Sequence, residues 1–348
     1  MSLKEDISGI VSWKSPSNIA LVKYWGKYGR QLPSNPSISL TLSNAHTITT
    51  IKYQYKASRN EGNIRFKFEG QEKPAFRDKI VKFLAGIHDV FPMTQHLDLD
   101  IESENSFPHS SGIASSASSM SALALCLLSI ESQILQNPGI DYRKASVIAR
   151  LGSGSACRSV FGPIAVWGES SDIKGSSNDF AISYNNDIDP VFSSFHDDIL
   201  IVSSKEKEVS SRAGHALMDN NPYAAVRFQQ AREHMSGIIS AMQDGNLEKF
   251  GDILEKEALT LHALMMASDP PYILMEKNTL EIIRQIQAFR HNTGLPVYFT
   301  LDAGPNIHLL YPDRIKNELE IFEKDLLNYC DNGLIIRDQV GPGPQQLI

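Results

Sequence analysis

Residues 112–120 read GIASSASSM, and the apolar run ALALCLL (122–128) follows almost directly. Between 110 and 124, twelve of fifteen residues are Ser, Ala or Gly. This composition predicts a mostly apolar, buried helix over 113–131 that begins with very small side chains. A helix N-terminus carries unpaired backbone N–H groups and the positive end of the dipole, so it attracts anions. Small residues let a phosphate approach that backbone, and serine hydroxyls add hydrogen bonds or a magnesium ligand. GxxxxGK[ST] does not occur, so this is a serine-rich nest rather than a Walker loop. The same small residues suit a tight helix–helix contact, and the stretch by itself leaves both readings open.

The rest of the chain frames this segment. Its 348 residues allow two domains, and 42% hydrophobic with 21% charged residues is ordinary for a globular protein. Uninterrupted apolar runs fall short of the ~20 residues of a membrane span, so no crossing is expected. The N-terminal MSLKEDISGI has acids where a signal peptide is apolar. Three widely spaced cysteines (Cys126, Cys157, Cys330) argue for a reducing cytoplasm and form no metal pattern, and no HExxH is present. A net charge of −7 disfavours nucleic acid. Yet 11–50, 105–130 and 142–168 lack Asp and Glu altogether. Such stretches can line an anion site, although buried segments lack acids as well.

Strand-like and helix-like segments alternate irregularly. Strands are expected at 46–55, 96–103, 198–203, 297–301, 307–311 and 334–340. Helices are expected at 76–91, 142–152, 222–243, 246–267, 276–291 and 313–329. The absence of regular βαβ alternation favours an α+β fold. The polar loop 168–190 suggests domains at 1–190 and 191–348.

Four further segments carry chemistry. SPSNIALVKYWGKYG (15–29) holds Lys23 and Lys27 four apart, which on a helix would share a face, around Tyr24 and Trp25. A solvated basic face over a packed Trp explains it equally. RLGSGSACRSVFG (150–162) offers a hydroxyl-rich turn followed by Arg158, suited to a carboxylate, or a plain surface loop. VYFTLDAGPNIHLLY (297–311) ends an apolar strand on Asp302, a candidate base or a turn former before Gly-Pro. VSSRAGH (209–215) offers Ser211 and Arg212 to a phosphate, or a helix cap. His262, in TLHALMM, reads more readily as core than as substrate-facing.

Together, NIALVKYWGK, FPHSSGIASSAS, GSGSACRS, VSSRAG, FTLDAGPN and the terminal VGPGPQ span nearly the whole chain in this order. In that combination the chain resembles the mevalonate diphosphate decarboxylases of the GHMP kinase superfamily. The resemblance implies an N-terminal domain like domain 2 of ribosomal protein S5 and a ferredoxin-like C-terminal domain, with the ligands in the cleft between them. It implies ATP, Mg²⁺ and mevalonate 5-diphosphate as ligands, and a homodimer. Asp302, Arg158 and Lys23 match catalytic positions. Asn18, Tyr24, Trp25, Gly26, Lys27, Ser153, Gly154, Ser155, Ala156, Cys157, Ser211 and Arg212 match substrate positions, as does Arg77 across a variable loop. Pro108, Gly112, Ala114, Ser115, Ser116, Ser118 and Ser119 match the ATP-phosphate loop.

The chain departs from the family where His109, Ser110 and Ser111 make that loop more polar, and where Ser119 and Pro163 replace glycines common in relatives. Those changes bear on ATP affinity rather than on reaction type. A decarboxylase of the 5-monophosphate and a non-catalytic sensor on the same fold are the alternatives. Retention of Asp302 and Arg158 speaks against the sensor.

Overall fold

A computed structural model describes residues 6–59, 61–108, 115–185, 187–205 and 209–348. The first half supplies strands β1 (Ile7–Val22), β2 (Lys27–Tyr28), β3 (Leu32–Pro33), β4 (Ser37–Tyr55), β5 (Ile64–Phe68), β6 (Gln71–Glu72), β7 (Leu97–Asn105), β8 (Ile164–Trp167) and β9 (Ala181–Ser183). Its helices are α1 (Pro74–Gly86), α2 (Ser115–Leu135) and α3 (Tyr142–Gly152). The second half supplies β10 (Phe195–Leu200), α4 (Ser211–Ala216), α5 (Ala224–Gln243), α6 (Leu247–Met266) and α7 (Lys277–Thr293). Then come β11 (Tyr298–Thr300), β12 (Ile307–Pro312), α8 (Lys316–Leu326), β13 (Ile335–Ile336) and β14 (Gln345–Gln346).

Among these residues one sheet has the order β14-β1-β4-β7-β5-β6, with β8 and β9 branching from the early part of β4. A second sheet has the order β11-β12-β10-β13. The α+β expectation matches this mixture. The two sheets are joined by the tail. Asp338 accepts the backbone N–H groups of Ser43, Asn44 and Ala45 at 2.8, 2.8 and 2.6 Å, and β14 then pairs with β1.

β1 corrects an expectation. Lys23 and Lys27 lie on no helix: β1 runs to Val22, and Lys27 begins the short strand β2. The alternation of SGIVSW, with Val11 and Trp13 buried, is a strand period, and it outweighs the i, i+4 spacing of the lysines. Pro16 cannot donate to a ladder, and a register shift falls between Pro16 and Asn18. That shift re-aims the strand around Asn18.

α2 answers the question its composition raised. It lies on β1 and β4, and its deeper serines bond into the sheet. Ser121 Oγ accepts from Ser15 Oγ at 2.7 Å, Ser129 Oγ accepts from Trp13 Nε1 at 2.7 Å, and Ser118 Oγ meets Thr47 Oγ1 at 2.7 Å. Each such bond is worth ~1 kcal/mol and fixes the register of helix on sheet. α2 also revises the run-length argument. By length and composition it is apolar enough to cross a membrane, with a mean hydropathy of 1.4. Two-thirds of that window is buried inside the protein, where it forms core with Val11, Trp13 and Ile51.

Candidate active site

Lys23 follows the end of β1; it is 2% exposed, and its ammonium reaches Asp302 Oδ1 at 3.0 Å. Asp302 follows β11 in a tight turn closed by the Gly304 N–H on its carbonyl (2.7 Å), and its side chain stays 30% exposed. Burial lowers the Lys23 ammonium from its usual value, and the charges of Asp302, Glu257 and Asp197 pull it back up. His262 on α6 is buried and its Nε2 donates to the Asp302 carbonyl at 3.1 Å.

Arg158 sits beside this pair in the short helical turn 154–160 after α3 and is 2% exposed. Its guanidinium donates to Ser39 Oγ (3.1 Å), Ser37 Oγ (2.7 Å) and Asn18 Oδ1 (3.3 Å). No carboxylate lies within 4 Å of it among the described residues. A buried guanidinium held by neutral oxygens alone is a prepared seat for an anion. Asn18 Nδ2 in turn donates to Ser159 Oγ at 2.7 Å and reaches the Ser155 carbonyl at 3.5 Å.

The segment after Lys23 shapes one wall. Tyr24 packs between Trp167 and His215, with centroids at 4.6 and 4.3 Å, and its hydroxyl is buried with no partner among the described residues. A Cβ on Gly154 would stand 2.8 Å from that hydroxyl, so only glycine allows the GSGS turn to approach this closely. Gly26 has φ +94°, and its N–H donates to His215 Nδ1 at 3.0 Å. Burial, then the Lys27 charge, pushes His215 down to about 3, so the ring is a neutral acceptor. Among the described residues the Lys27 ammonium bonds only the neutral Gln31 Oε1 (2.8 Å), and burial and the Arg212 charge lower it.

The N-terminus of α2 forms the opposite wall. Its first turn carries no acid, and Ser116 Oγ lies 3.2 Å from Ser153 Oγ, linking α2 to the turn that carries Arg158.

Family models match both halves. Residues 15–179 match the diphosphomevalonate decarboxylase-like N-terminal domain, and 198–345 match the mevalonate 5-diphosphate decarboxylase C-terminal domain. Diphosphomevalonate decarboxylase of Candida albicans is 29% identical over 95% of this chain and 96% of its own length. That of Debaryomyces hansenii is 30% identical over 85% of this chain and 78% of its own. The chain belongs to the mevalonate diphosphate decarboxylase family. The solved decarboxylase of Staphylococcus aureus superposes with a TM-score of 0.82 at 28% identity over 100% of both chains. Another solved relative, described as "MDDEF in complex with MVAPP, AMPPCP and Magnesium", gives 0.82 at 28% identity over 98% of this chain and 99% of its own. The GHMP kinase fold is thereby the fold of this chain.

Within this decarboxylase fold the structure brings together Asn18, Lys23, Tyr24, Gly26, Lys27, Ser153, Gly154, Ser155, Arg158, Arg212 and Asp302 around the contacts above. Other residues expected at ligands are placed differently. Ser118, Ala156 and Cys157 expose none of their surface: Ser118 bonds Thr47, and Cys157 Sγ donates to the Gly154 carbonyl at 3.0 Å. They brace the walls from behind. Burial pushes the Cys157 thiol up to about 12, which removes it from acid–base work. Ser119 turns its hydroxyl back onto the Ser115 carbonyl at 2.6 Å. Trp25 packs with Met218, Leu261 and Met265 as the floor beneath His215. Arg77 is engaged elsewhere, donating to the Ile64 carbonyl at 2.8 Å and pairing with Asp78. Ser211 opens α4, capped by Ser210 Oγ on the Ala213 N–H. Pro108 precedes the phosphate loop, and Gly112 and Ala114 lie outside the described residues.

The sequence reading missed Ser37, Ser39, His215, Glu257, Arg227 and His234. The alternation of Ser37 and Ser39 inside an acid-free strand is a signal for the first two. Glu257 falls on the apolar stripe of α6 with Leu254, Leu261 and Met265, where a carboxylate needs a reason.

Proposed function

We propose that this chain performs the family reaction: ATP-dependent decarboxylation of mevalonate 5-diphosphate to isopentenyl diphosphate, with ADP, phosphate and CO₂ as the other products. The observation that carries the reading is Arg158, a buried cation whose hydrogen-bond partners are all neutral, set beside the Lys23–Asp302 pair. The substrate carboxylate is the anion it lacks. The second phosphate is favoured over the monophosphate alternative by Lys27 and Arg212, two neighbouring cations of which Lys27 bonds a neutral acceptor.

The donor set fits the nucleotide and metal. Ser115 and Ser116 stand in an acid-free first turn, with the Ser153 hydroxyl alongside. No group of three or more His, Cys, Asp or Glu gathers in metal-binding geometry among the described residues. That suits Mg²⁺, which keeps water and phosphate ligands and asks little of the protein. When bound, ATP supplies the phosphoryl group that makes the C3 oxygen a leaving group.

The chain's own residues do the rest. Asp302, paired with the Lys23 ammonium at 3.0 Å, orients and accepts the proton of the tertiary C3 hydroxyl. Once that proton has passed on to the departing phosphate, the Asp302 carboxylate is an anion again, and as the C3–O bond breaks it faces the positive charge that develops at C3. Arg158 holds the C1 carboxylate so that the C1–C2 electron pair flows into the new C2=C3 bond while CO₂ leaves. Tyr24 brings an unpartnered hydroxyl to the same wall. The three cysteines are free thiols, which supports a cytoplasmic enzyme. A homodimer and a domain boundary near 190 complete the proposal. Sedimentation and limited proteolysis test those two.

The deciding experiment measures ADP and CO₂ release with Mg²⁺-ATP and mevalonate, its 5-phosphate or its 5-diphosphate. Matched ADP and CO₂ with the diphosphate alone is the expected result. A preference for the monophosphate would move the substrate assignment, and ADP without CO₂ would overturn the role of Arg158.

A further inference from the structure

Glu257, on α6, has no exposed surface, and its carboxylate is saturated with donors. Oε2 accepts the Lys23 backbone N–H at 2.7 Å. Arg227 on α5 clamps both oxygens at 2.6 and 2.5 Å, and His234 Nδ1 reaches Oε1 at 2.5 Å. The same Arg227 donates from Nη2 to the Lys23 carbonyl at 3.2 Å, and Asn35 Nδ2 donates to that carbonyl at 3.0 Å. Both backbone polar groups of Lys23 are therefore tied to one buried ion cluster. The cluster spans α5 and α6 of the second half, whereas Lys23 directly follows β1 of the first.

We infer that Glu257 is a positioning residue: through the Lys23 main chain it fixes the Lys23 ammonium against Asp302. A buried network of this kind is expensive as packing, because carboxylate, guanidinium and imidazole all leave water. An apolar pair would serve the core at least as well, so a demand other than stability is met by keeping it. Every charged neighbour of Lys23 acts in the same sense or is already paired. Asp302 comes from the turn after β11 and Glu257 from α6. Asp197 comes from β10, bonded by His308 of β12 at 2.8 Å. Arg227 and His234 from α5 are committed to Glu257, and His262 of α6 to the Asp302 carbonyl. Arg158 acts on Asp302. Burial opposes the Lys23 charge, so removing the negative charge of Glu257 lowers the Lys23 pKa further.

The inference rests on the catalytic reading of Lys23 and Asp302, and its test separates the two. The readout is the pH profile of kcat with mevalonate 5-diphosphate. In Glu257→Gln the alkaline limb is expected to move down by about one pH unit, with the KM for ATP within about twofold of the parent. Glu255→Gln, on the same helix but paired with Arg290 at 2.6 Å, is expected to leave the limb in place. Should Glu257→Gln fail to fold because Arg227 is stranded, the double variant Glu257→Gln, Arg227→Met removes both charges and is expected to move the limb in the same direction by a smaller amount. An unmoved limb in a folded variant overturns the inference, as does loss of the fold in both. Absence of CO₂ release from the unsubstituted chain would instead refute the functional reading.

Discussion

Replacing Arg158 with methionine separates a catalytic cation from a structural one. The substitution removes three hydrogen bonds, to Ser37, Ser39 and Asn18. Each bond to a charged group is worth ~1.5–3 kcal/mol. It also removes a guanidinium, only 2% exposed, that lacks an ion-pair partner among the described residues. The desolvation of a buried ion costs several kcal/mol. The two quantities are of similar size and opposite sign. Arg158→Met is therefore expected to melt within a few degrees of the parent. Activity follows a different ledger. Truncating one partner of a buried, hydrogen-bonded charge pair costs ~2–5 kcal/mol. At about 1.4 kcal/mol per decade, kcat/KM for CO₂ release falls roughly 30- to 4,000-fold. Thermal unfolding followed by circular dichroism and a coupled CO₂ assay read the two numbers on one sample. A variant that melts many degrees early yet keeps turnover per folded molecule would refute the argument and make Arg158 a structural group.

Other expectations follow from the same contacts. Asp302→Asn should cut turnover by ~10²–10⁴-fold while calorimetry still detects ligand binding. Gly154→Ala drives a Cβ to within 2.8 Å of the Tyr24 hydroxyl. It should raise the KM for the acid, with a stability loss of ~1–3 kcal/mol by denaturant titration. Burial holds Asp198 up at about 7, above its unfolded value of 3.8. The folded chain thus binds the extra proton, and the stability from this group is complete below pH 4 and lost as pH rises towards 7. Asp198→Asn should flatten that decline in urea midpoints measured across pH.

The site was legible where chemistry leaves a residue type with no easier explanation. Asp302 at the end of an apolar strand, and Arg158 behind GSGS, needed only their neighbours to be noticed. The segment before Lys23 was harder, because lysines four apart mimic a helical face while SGIVSW alternates as a strand. What decided it was pairing with β4, an interaction between residues far apart in sequence. Cys157 and Ala156 show the converse. Residues inside a binding motif can be turned wholly inward, because a tight turn needs as much support behind it as contact in front. Glu257 was passed over for a related reason. An acid on the buried face of α6 announces itself only when Arg227 and Lys23 are seen beside it.

The tail has a consequence for synthesis. Trp13 and Lys14 pair with Gln346 and Gln345, and Thr41 receives the Gly341 N–H at 2.9 Å. β1 and its edge partner β14 lie about 330 residues apart in the chain, so β1 is made well before the strand that covers its edge. Throughout translation the nascent first sheet therefore presents an unpaired, alternating strand edge, the kind of template on which chains aggregate. That edge stays open until residues 341–346 have emerged to pair with it. Truncation ahead of Gly341 would leave the exposure permanent, with the candidate active-site residues still encoded.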